Sequence, residues 1–188
     1  MVSHTKGMKA KKSFGQHFLA DRSVVKKIAA AAELKRGDVV LEIGPGTGVL
    51  TQALIASGAT VIAVEADRDL IPGLRERFGD KITLIEGDIL SLPNTVIARP
   101  GAEAIPSGSL RRVASRDDKY KLVANLPYNI TSDVFQKFLR EDPRPTRMVV
   151  MVQREVADRI LAVPPDMSLL SVVCQLYAHC KKVINVPR

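Results

Sequence analysis

Short apolar segments alternate with amphipathic ones along most of this 188-residue sequence, and this alternation constrains its fold more than any other feature. The apolar segments predict buried strands at 39–43, 60–64, 82–86, 120–124, 148–152 and 182–186. The amphipathic segments predict helices at 23–34, 49–57, 69–78, 132–139, 155–161 and 169–176. Strands that alternate with helices build parallel sheets covered on both faces. We therefore predict an α/β fold with a mostly parallel sheet.

The composition is that of one globular domain with a basic surface. Apolar residues make up 46% and charged residues 26% of the sequence, which argues against a disordered or fibrous chain. The net charge of +8 and the pI of about 9.7 favour a polyanionic partner such as nucleic acid. Residues 1–12 are predicted to form a basic tail. Residues 94–119, rich in Pro, Gly, Ser and Arg, are predicted to form a flexible loop.

A second basic cluster directly precedes Asn125. It consists of Arg111, Arg112, Arg116, Lys119 and Lys121. Two interpretations remain open, since these residues could contact phosphates beside a binding site or simply be solvated.

Membrane and metal-binding proteins are disfavoured. The N-terminal region has no apolar signal core and no apolar run is long enough to span a bilayer, so we expect a cytoplasmic protein without a membrane partner. Cys174 and Cys180 do not combine with a histidine at zinc-type spacing, so we expect no metal site. We also expect a monomer.

Glycine or polar residues stand at the carboxyl ends of four successive predicted strands. They are the 44–48 glycine loop, Glu65, Asp88 and Asn125. Open parallel sheets bind ligands at this edge. The loop can bring backbone amides close to a ligand, and Glu65 stands where an acidic side chain can bind ribose hydroxyls. Asp88 could accept a hydrogen bond from an adenine amino group.

The glycine spacing argues against a dinucleotide such as NAD. That fingerprint requires Gly-x-Gly-x-x-Gly, whereas here the third glycine is Gly48 and Val49 follows it. An adenosine ligand without phosphates fits the loop and the two carboxylates, which suggests S-adenosylmethionine as the cofactor. A dehydrogenase remains a remote alternative.

The segment Asn125-Leu126-Pro127-Tyr128 offers an amide, backbone carbonyls and an aromatic ring at a strand end. An exocyclic amine on a nucleobase is a poor nucleophile because its lone pair is delocalised into the ring. If the Asn125 amide oxygen and the Leu126 carbonyl accept its two hydrogens, the nitrogen is oriented towards an electrophile. Tyr128 could then stack on the base. The alternative is an ordinary strand followed by an Asn/Pro turn.

Together these motifs resemble those of the rRNA adenine N6,N6-dimethyltransferases, specifically the KsgA/RsmA group that acts on small-subunit rRNA. The resemblance extends from about Lys12 to Arg188. It is carried by Gly15-Gln16-His17-Phe18-Leu19, Glu42-Ile43-Gly44-Pro45-Gly46-Thr47-Gly48, Glu65, Gly87-Asp88 and Asn125-Leu126-Pro127-Tyr128. It implies a Rossmann-like S-adenosylmethionine-dependent methyltransferase fold, with residues 1–188 as the catalytic domain.

The resemblance also implies an activity and a partner. The activity is dimethylation of N6 on two adjacent adenines near the 3′ end of 16S rRNA during ribosome biogenesis, and the partner is the immature 30S particle. Alternatives are a ribosome-assembly checkpoint, in which cofactor binding matters more than chemistry, and a large-subunit rRNA or DNA adenine N6-methyltransferase.

Residue roles follow from the same resemblance. The residues expected to bind S-adenosylmethionine are His17, Leu19, Gly44, Gly46, Glu65, Asp88, Ile89 and Asn125. His17 and Leu19 would line its methionine and ribose side, although many relatives have Asn where His17 stands. The residues expected to act on the target base are Asn125, Leu126, Pro127 and Tyr128, with Tyr128 stacked on an adenine flipped out of its helix. No general base is visible, and none is needed.

Members of this family continue, beyond the segment that matches 182–186, with a Phe-x-Pro-x-Pro segment, a last antiparallel strand and a small helical domain. The sequence ends at Arg188. We therefore expect a sheet without a strand beside 148–152, no helical domain, and weak methylation of ribosomal particles. A second hypothesis is that another chain covers the open edge of the sheet.

Overall fold

The structure is a computed structural model, and it describes residues 21–94 and 119–186. His17, Leu19, the predicted basic tail and nearly all of the predicted loop at 94–119 lie outside these residues. The elements in chain order are α1 (Arg22–Ala31), β1 (Val39–Ile43), α2 (Val49–Ala56), β2 (Thr60–Glu65), α3 (Ile71–Phe78), a 3-10 turn (Gly79–Lys81), β3 (Ile82–Glu86), β4 (Tyr120–Asn125), α4 (Thr131–Arg140), β5 (Arg147–Met151), α5 (Arg154–Ile160) and α6 (Leu169–Tyr177).

The five strands form one sheet in the order β3-β2-β1-β4-β5, and every neighbouring pair is parallel. From β1 the chain winds outward to β3, and it then returns to the other side of β1 for β4 and β5. This confirms the predicted α/β fold with a parallel sheet. The strand order reverses between β1 and β4, and ligands bind open sheets of this kind outside the carboxyl ends of the strands at such a point.

Alternate side chains of each strand enter two different cores. Val40, Val61 and Val123 pack with α1 and α2 on one face of the sheet. Leu41 and Leu122 belong to the core on the opposite face, which α4 covers. Burial on both faces explains why the strand sequences are almost continuously apolar.

The faces of the sheet also determine where the polar strand residues lie. Side chains two residues apart on a strand share a face. Glu42 therefore lies on the α1 and α2 face with Val40, and Glu65 and Asn125 are on that same face by the alternation along β2 and β4. Two carboxylates and a carboxamide thus belong to one side of the sheet.

Ion pairs tie the segment between α1 and β1 to the amino ends of β4 and β5, far from the predicted site. Lys121 Nζ lies 2.8 Å from Asp38 Oδ2 and donates to the Glu33 carbonyl. Arg147 Nη2 lies 2.7 Å from Glu33 Oε2. Lys121 thus acts within the fold, which argues against both open interpretations of this residue, the phosphate contact and the solvated side chain. At the start of α1, the Asp21 carboxylate accepts a hydrogen bond from the Ser23 amide and so caps the helix.

The strand predicted at 182–186 is wrong. Residues 181–186 have no regular structure, although Ile184 packs against the core under α1 and α2. The segment has the alternation of a strand, but a strand also needs a neighbour to accept and donate its backbone hydrogen bonds. The other predicted elements are present, with bounds shifted by at most three residues.

One edge of the sheet is formed by β5, which within the described residues pairs with β4 alone. Pairing of this edge with another chain stays a prediction. In the part of the chain that the structure describes, no helix combines the length and apolar character that a bilayer-spanning segment requires.

A candidate cofactor and amine site at the carboxyl edge of the sheet

Three predicted site residues lie side by side where the strand order reverses. β1 pairs in register with β2 and β4 up to Ile43, so Gly44, Glu65 and Asn125 occupy the next row. Adjacent strands are about 4.8 Å apart. The backbones of Glu65 and Asn125 are therefore about 10 Å apart, with Gly44 between them. A carboxylate and a carboxamide flank a glycine at the switch point of the sheet.

Glu65 holds the glycine loop. Its Oε2 accepts a hydrogen bond of 3.1 Å from the Gly46 amide, and its Oε1 accepts one of 2.9 Å from the Asp67 amide. The side chain is only 4% exposed. Burial raises the pKa of Glu65, while these amide hydrogen bonds lower it. A carboxylate oxygen can accept two hydrogen bonds, so Glu65 can hold the loop and still accept one from a ribose hydroxyl.

The glycines of the loop have different surroundings. Gly44, Gly46 and Gly48 all have positive φ angles, of 65°, 59° and 79°. A Cβ on Gly44 would meet no atom within 4 Å, so this glycine faces open space. A Cβ on Gly48 would overlap the ring of Phe78. Gly44 therefore leaves open space beside the backbone, whereas Gly48 is a packing position against α3.

Hydrogen bonds to two neighbouring elements hold the segment 125–128. The Leu126 amide donates to the Met151 carbonyl at 3.1 Å, which ties the segment to the end of β5. The Pro127 carbonyl accepts a hydrogen bond of 2.9 Å from the Thr131 hydroxyl, which ties it to the first turn of α4. The Asn/Pro turn, which was the alternative interpretation of this segment, is thus present. It holds the segment between two elements of regular structure.

The groups predicted to meet the target base differ in exposure. No described residue donates a hydrogen bond to the Leu126 carbonyl. Tyr128 is 50% exposed, and Asn125 is half-buried at the end of β4. A large aromatic side chain exposed to this degree offers a face on which a base can stack.

Asp88 and Ile89 lie after β3. Asp88 is exposed, and its Oδ1 accepts a hydrogen bond of 3.0 Å from the Leu90 amide. The side chain of Ile89 is 3% exposed and belongs to the core on the α4 face. Ile89 can therefore border a ligand through its backbone only. The Gly87 amide donates to the Glu65 carbonyl at 2.9 Å, which connects this turn to the row of site residues.

Glu42 is a buried carboxyl group that the sequence analysis gave no separate role. It is 1% exposed, and neither of its oxygens has a hydrogen-bond partner among the described residues. Burial raises its pKa to about 8, and the Glu65 carboxylate raises it as well. Thr51 of α2 is near enough to lower this pKa but lies outside hydrogen-bond geometry, and its own buried hydroxyl has no partner in the described part. The only sequence signal was a carboxylate inside an apolar strand.

Arg77 is a second residue to which the sequence analysis gave no role. Its Nη1 donates a hydrogen bond of 2.7 Å to the carbonyl of Thr47 in the glycine loop. Its guanidinium carbon lies 5.0 Å from the centre of the Phe78 ring. The two partners are thirty residues apart in the sequence, and no local pattern indicates such a contact.

In residues 21–94 and 119–186, His, Cys, Asp and Glu do not form a group of three or more that could hold a metal ion. The predicted cofactor residues His17 and Leu19 lie outside the described residues, so their roles stay predictions.

Comparison with known proteins shows the family of the chain. Residues 7–188 match the family model described as ribosomal RNA adenine dimethylase. The chain belongs to this family. Two of its most similar relatives are both named ribosomal RNA small subunit methyltransferase A. The relative from Prochlorococcus marinus is 42% identical over 96% of this chain, and that from Synechococcus elongatus is 45% identical over 96%. The chain spans 62% and 63% of the length of these two relatives.

Two solved methyltransferase structures share the fold. A dimethyladenosine transferase from Plasmodium falciparum matches 89% of this chain and 55% of its own, with 29% identity and a TM-score of 0.68. The 23S rRNA methyltransferase ErmE matches 76% of this chain and 50% of its own, with 30% identity and a TM-score of 0.57. The predicted family and the predicted Rossmann-like methyltransferase fold are confirmed.

Proposed function

We propose that this chain is the catalytic domain of an S-adenosylmethionine-dependent adenine N6-dimethyltransferase, and that its substrate is small-subunit rRNA. The observation that carries the proposal is the row formed by Glu65, Gly44 and Asn125 at the switch point. It combines features suited to a nucleoside cofactor with features suited to an amine. Family membership and the names of the relatives support rRNA as the substrate.

The described residues suit the cofactor. S-adenosylmethionine supplies a methyl group on a positively charged sulfur, which is the electrophile. Gly44 leaves room for a ligand against the backbone, and the Glu65 carboxylate would accept hydrogen bonds from the ribose hydroxyls. Asp88, exposed at the end of β3, would accept one from the adenine amino group.

The segment 125–128 would hold the target amine. The Asn125 amide oxygen and the Leu126 carbonyl would accept its two hydrogens, so that the nitrogen lone pair is directed towards the methyl group. Tyr128 would stack on the adenine once it has left its helix. The methylated amine is cationic and acidic enough to lose a proton to water, so the residues need not include a general base.

The partner and the location follow from the substrate. The net charge of +8 favours association with RNA, and we propose the immature 30S particle as the form that is modified. The predicted cytoplasmic location and action as a monomer are part of the same proposal.

Methyl transfer in three parallel reactions tests the proposal. Labelled S-adenosylmethionine is incubated with the chain and with immature small subunits, naked 16S rRNA or DNA, and the products are digested to nucleosides. We expect N6,N6-dimethyladenosine from small-subunit RNA and no labelled nucleoside from DNA. Label in DNA at an equal rate, or a labelled nucleoside other than a methylated adenosine, would contradict the proposal.

Large-subunit rRNA is a second candidate substrate, because the 23S rRNA methyltransferase ErmE has a similar structure at 30% identity. The higher identity, 42% and 45%, is with relatives named for the small subunit, which favours small-subunit rRNA. A fourth reaction with naked 23S rRNA decides between them. Faster methylation of 23S than of 16S rRNA would favour the second candidate.

Alanine at Gly44 and at Gly48 should separate ligand binding from folding. Either change places a side chain in a positive-φ conformation, which costs about 1–2 kcal/mol of unfolding free energy. Gly48→Ala also forces a methyl group against Phe78, which adds about 1–3 kcal/mol. Gly44→Ala adds no clash, but its methyl group enters the proposed cofactor cleft, so the Kd for S-adenosylhomocysteine should rise about tenfold or more.

Urea unfolding measures the free energy of unfolding of each variant, and calorimetric titration measures its Kd for S-adenosylhomocysteine. Gly44→Ala serves as the backbone control for the stability loss in Gly48→Ala. Unchanged affinity in Gly44→Ala would place the cofactor elsewhere than over this glycine.

A further inference from the structure

The glycine loop is held from one side by Glu65 and from the other side by α3. The contact from α3 consists of the Arg77 hydrogen bond to the Thr47 carbonyl and the packing of Phe78 against Gly48. Arg77 lies on the exposed side of α3 and Phe78 is buried. Because the guanidinium also lies over the Phe78 ring, the two residues contact the loop as one unit.

Both polar groups of a single peptide unit are occupied in this contact. The peptide joining Thr47 and Gly48 has its carbonyl bonded to Arg77 at 2.7 Å. The N–H of the same peptide donates to the Pro45 carbonyl at 2.9 Å. A peptide plane held at both ends cannot rotate without breaking both bonds. Arg77 thereby fixes the orientation of the peptide at which α2 begins.

This peptide needs an external restraint because glycines surround it. Glycine populates positive and negative φ almost equally, so a peptide beside Gly48 can rotate at a lower cost than elsewhere. Gly48 is the N-cap residue of α2, and no side-chain hydrogen bond caps the helix there. Within the described residues, Arg77 is the side chain that donates to the Thr47 carbonyl. Rotation would change which backbone groups the loop presents to the cleft at Gly44.

We propose that Arg77 is a positioning residue that fixes the Thr47–Gly48 peptide and so sets the affinity of the glycine loop for S-adenosylmethionine. This inference rests on the proposed function, since it concerns the same cofactor. Arg77 acts through the loop. Its contribution is to keep the unliganded loop in the conformation that binds, which reduces the reorganisation that accompanies binding.

Arg77→Met tests this role and Arg75→Met is the matched control. Methionine keeps an apolar chain over the Phe78 ring and removes the donor to Thr47. Arg75 lies in the same last turn of α3, carries the same charge and is exposed. Loss of charge or of its interaction with the helix dipole is therefore common to both variants.

Calorimetric titration with S-adenosylhomocysteine gives the first readout. The Kd should rise about fivefold to tenfold in Arg77→Met and stay within about 1.5-fold in Arg75→Met, since one charged hydrogen bond to the loop is lost in the first alone. Arg77→Lys keeps a cationic donor without the planar fork and should recover part of the affinity. A general effect of charge would have the opposite sign for cationic S-adenosylmethionine, whose binding would strengthen when a cation is removed.

Hydrogen exchange of the unliganded proteins gives a readout that needs no cofactor. Amides of residues 46–52 should exchange faster in Arg77→Met than in the unaltered chain, with no change in Arg75→Met. A structural role confined to stability would accelerate exchange across α3 and β3 as well. Urea unfolding of each variant shows how much of any affinity change comes from loss of folded protein.

The outcomes separate this inference from the proposed function. If the unaltered chain binds and Arg77→Met binds with an affinity within twofold of it, the inference fails and the proposed function stands. Equal losses in Arg75→Met and Arg77→Met would also overturn it. If the unaltered chain does not bind S-adenosylhomocysteine or S-adenosylmethionine, the proposed function fails and the inference fails with it.

Discussion

Asn125→Ala should lower kcat for adenine methylation by about a hundredfold to a thousandfold, a loss of the size seen when one preorganised hydrogen-bonding group is removed from an active site. The physical reason is that Asn125 is one of two acceptors proposed to orient the amine. The other is the Leu126 carbonyl, which alone cannot hold both hydrogens of the amine. The nitrogen would then spend most of its time with its lone pair directed away from the methyl group.

The expected effect on cofactor binding is much smaller. Asn125 lies next to Gly44 in the row of site residues, so some contact with the cofactor is proposed. Glu65, Gly44 and Asp88 remain, and the Kd for S-adenosylhomocysteine should rise by no more than about fivefold, the effect of one lost hydrogen bond. The signature of the amine-holding role is thus a large fall in kcat with a small change in Kd.

Single-turnover transfer from labelled S-adenosylmethionine to saturating 16S rRNA measures the rate. Asn129→Ala is a suitable control, because Asn129 is an exposed asparagine in the same turn. It should leave kcat within about threefold of the unaltered chain. An Asn125→Ala rate in that same range would refute the amine-holding role.

The same variant distinguishes an enzyme from a ribosome-assembly checkpoint. A checkpoint that depends on cofactor binding should retain its effect on small-subunit assembly in Asn125→Ala, since binding is nearly preserved. Cells that depend on the variant would then accumulate subunits with unmethylated adenines but normal sedimentation. Loss of both methylation and assembly would tie the two functions to the same chemistry.

The arrangement of Gly44, Glu65 and Asn125 could be predicted because each residue follows a strand that the local pattern identifies. Parallel strands share a carboxyl edge, so residues at neighbouring strand ends come together even when they are far apart in the sequence, as Gly44 and Asn125 are. To predict this row of residues, one therefore needs only the bounds of the strands and their parallel arrangement. The same reasoning failed at 182–186, where alternation predicted a strand, because pairing depends on a neighbouring strand that a local pattern does not specify.

Side-chain surroundings could not be predicted in the same way. Lys121 belongs to a basic cluster in the sequence, but its partner Asp38 comes from a loop that precedes β1. Arg77 meets Thr47 because α3 packs under the glycine loop, a contact that depends on the angle of a helix. These interactions depend on how the elements pack against each other, and the periodicity of a single element carries no information about that packing.

Glu42→Gln should stabilise the chain by about 3–5 kcal/mol at pH 8.5 and change its stability by about 1 kcal/mol or less at pH 5. Glu42 is fully buried, with a pKa of about 8 in the folded chain against 4.5 for an ordinary glutamate. Between these two values the folded chain binds one more proton than the unfolded chain. The stability of the unaltered chain should therefore fall as the pH rises from 4.5 to 8 and level off above that. Glutamine has the same shape and no charge to bury, so the fall should largely disappear.

Urea unfolding at half-unit steps from pH 5 to 8.5 measures this dependence, with a constant m-value as the check that unfolding stays two-state. A smaller slope of the same sign should remain in Glu42→Gln, because burial also raises the pKa of Glu65. Asp21 and Asp38 have lowered pKa values and act at the acidic end, below this window. Glu76→Gln removes an exposed carboxylate on α3 and should leave the curve parallel to that of the unaltered chain. Parallel curves for Glu42→Gln as well would mean that Glu42 ionises below pH 5 despite its burial, which would require a cation or several donors that reach it.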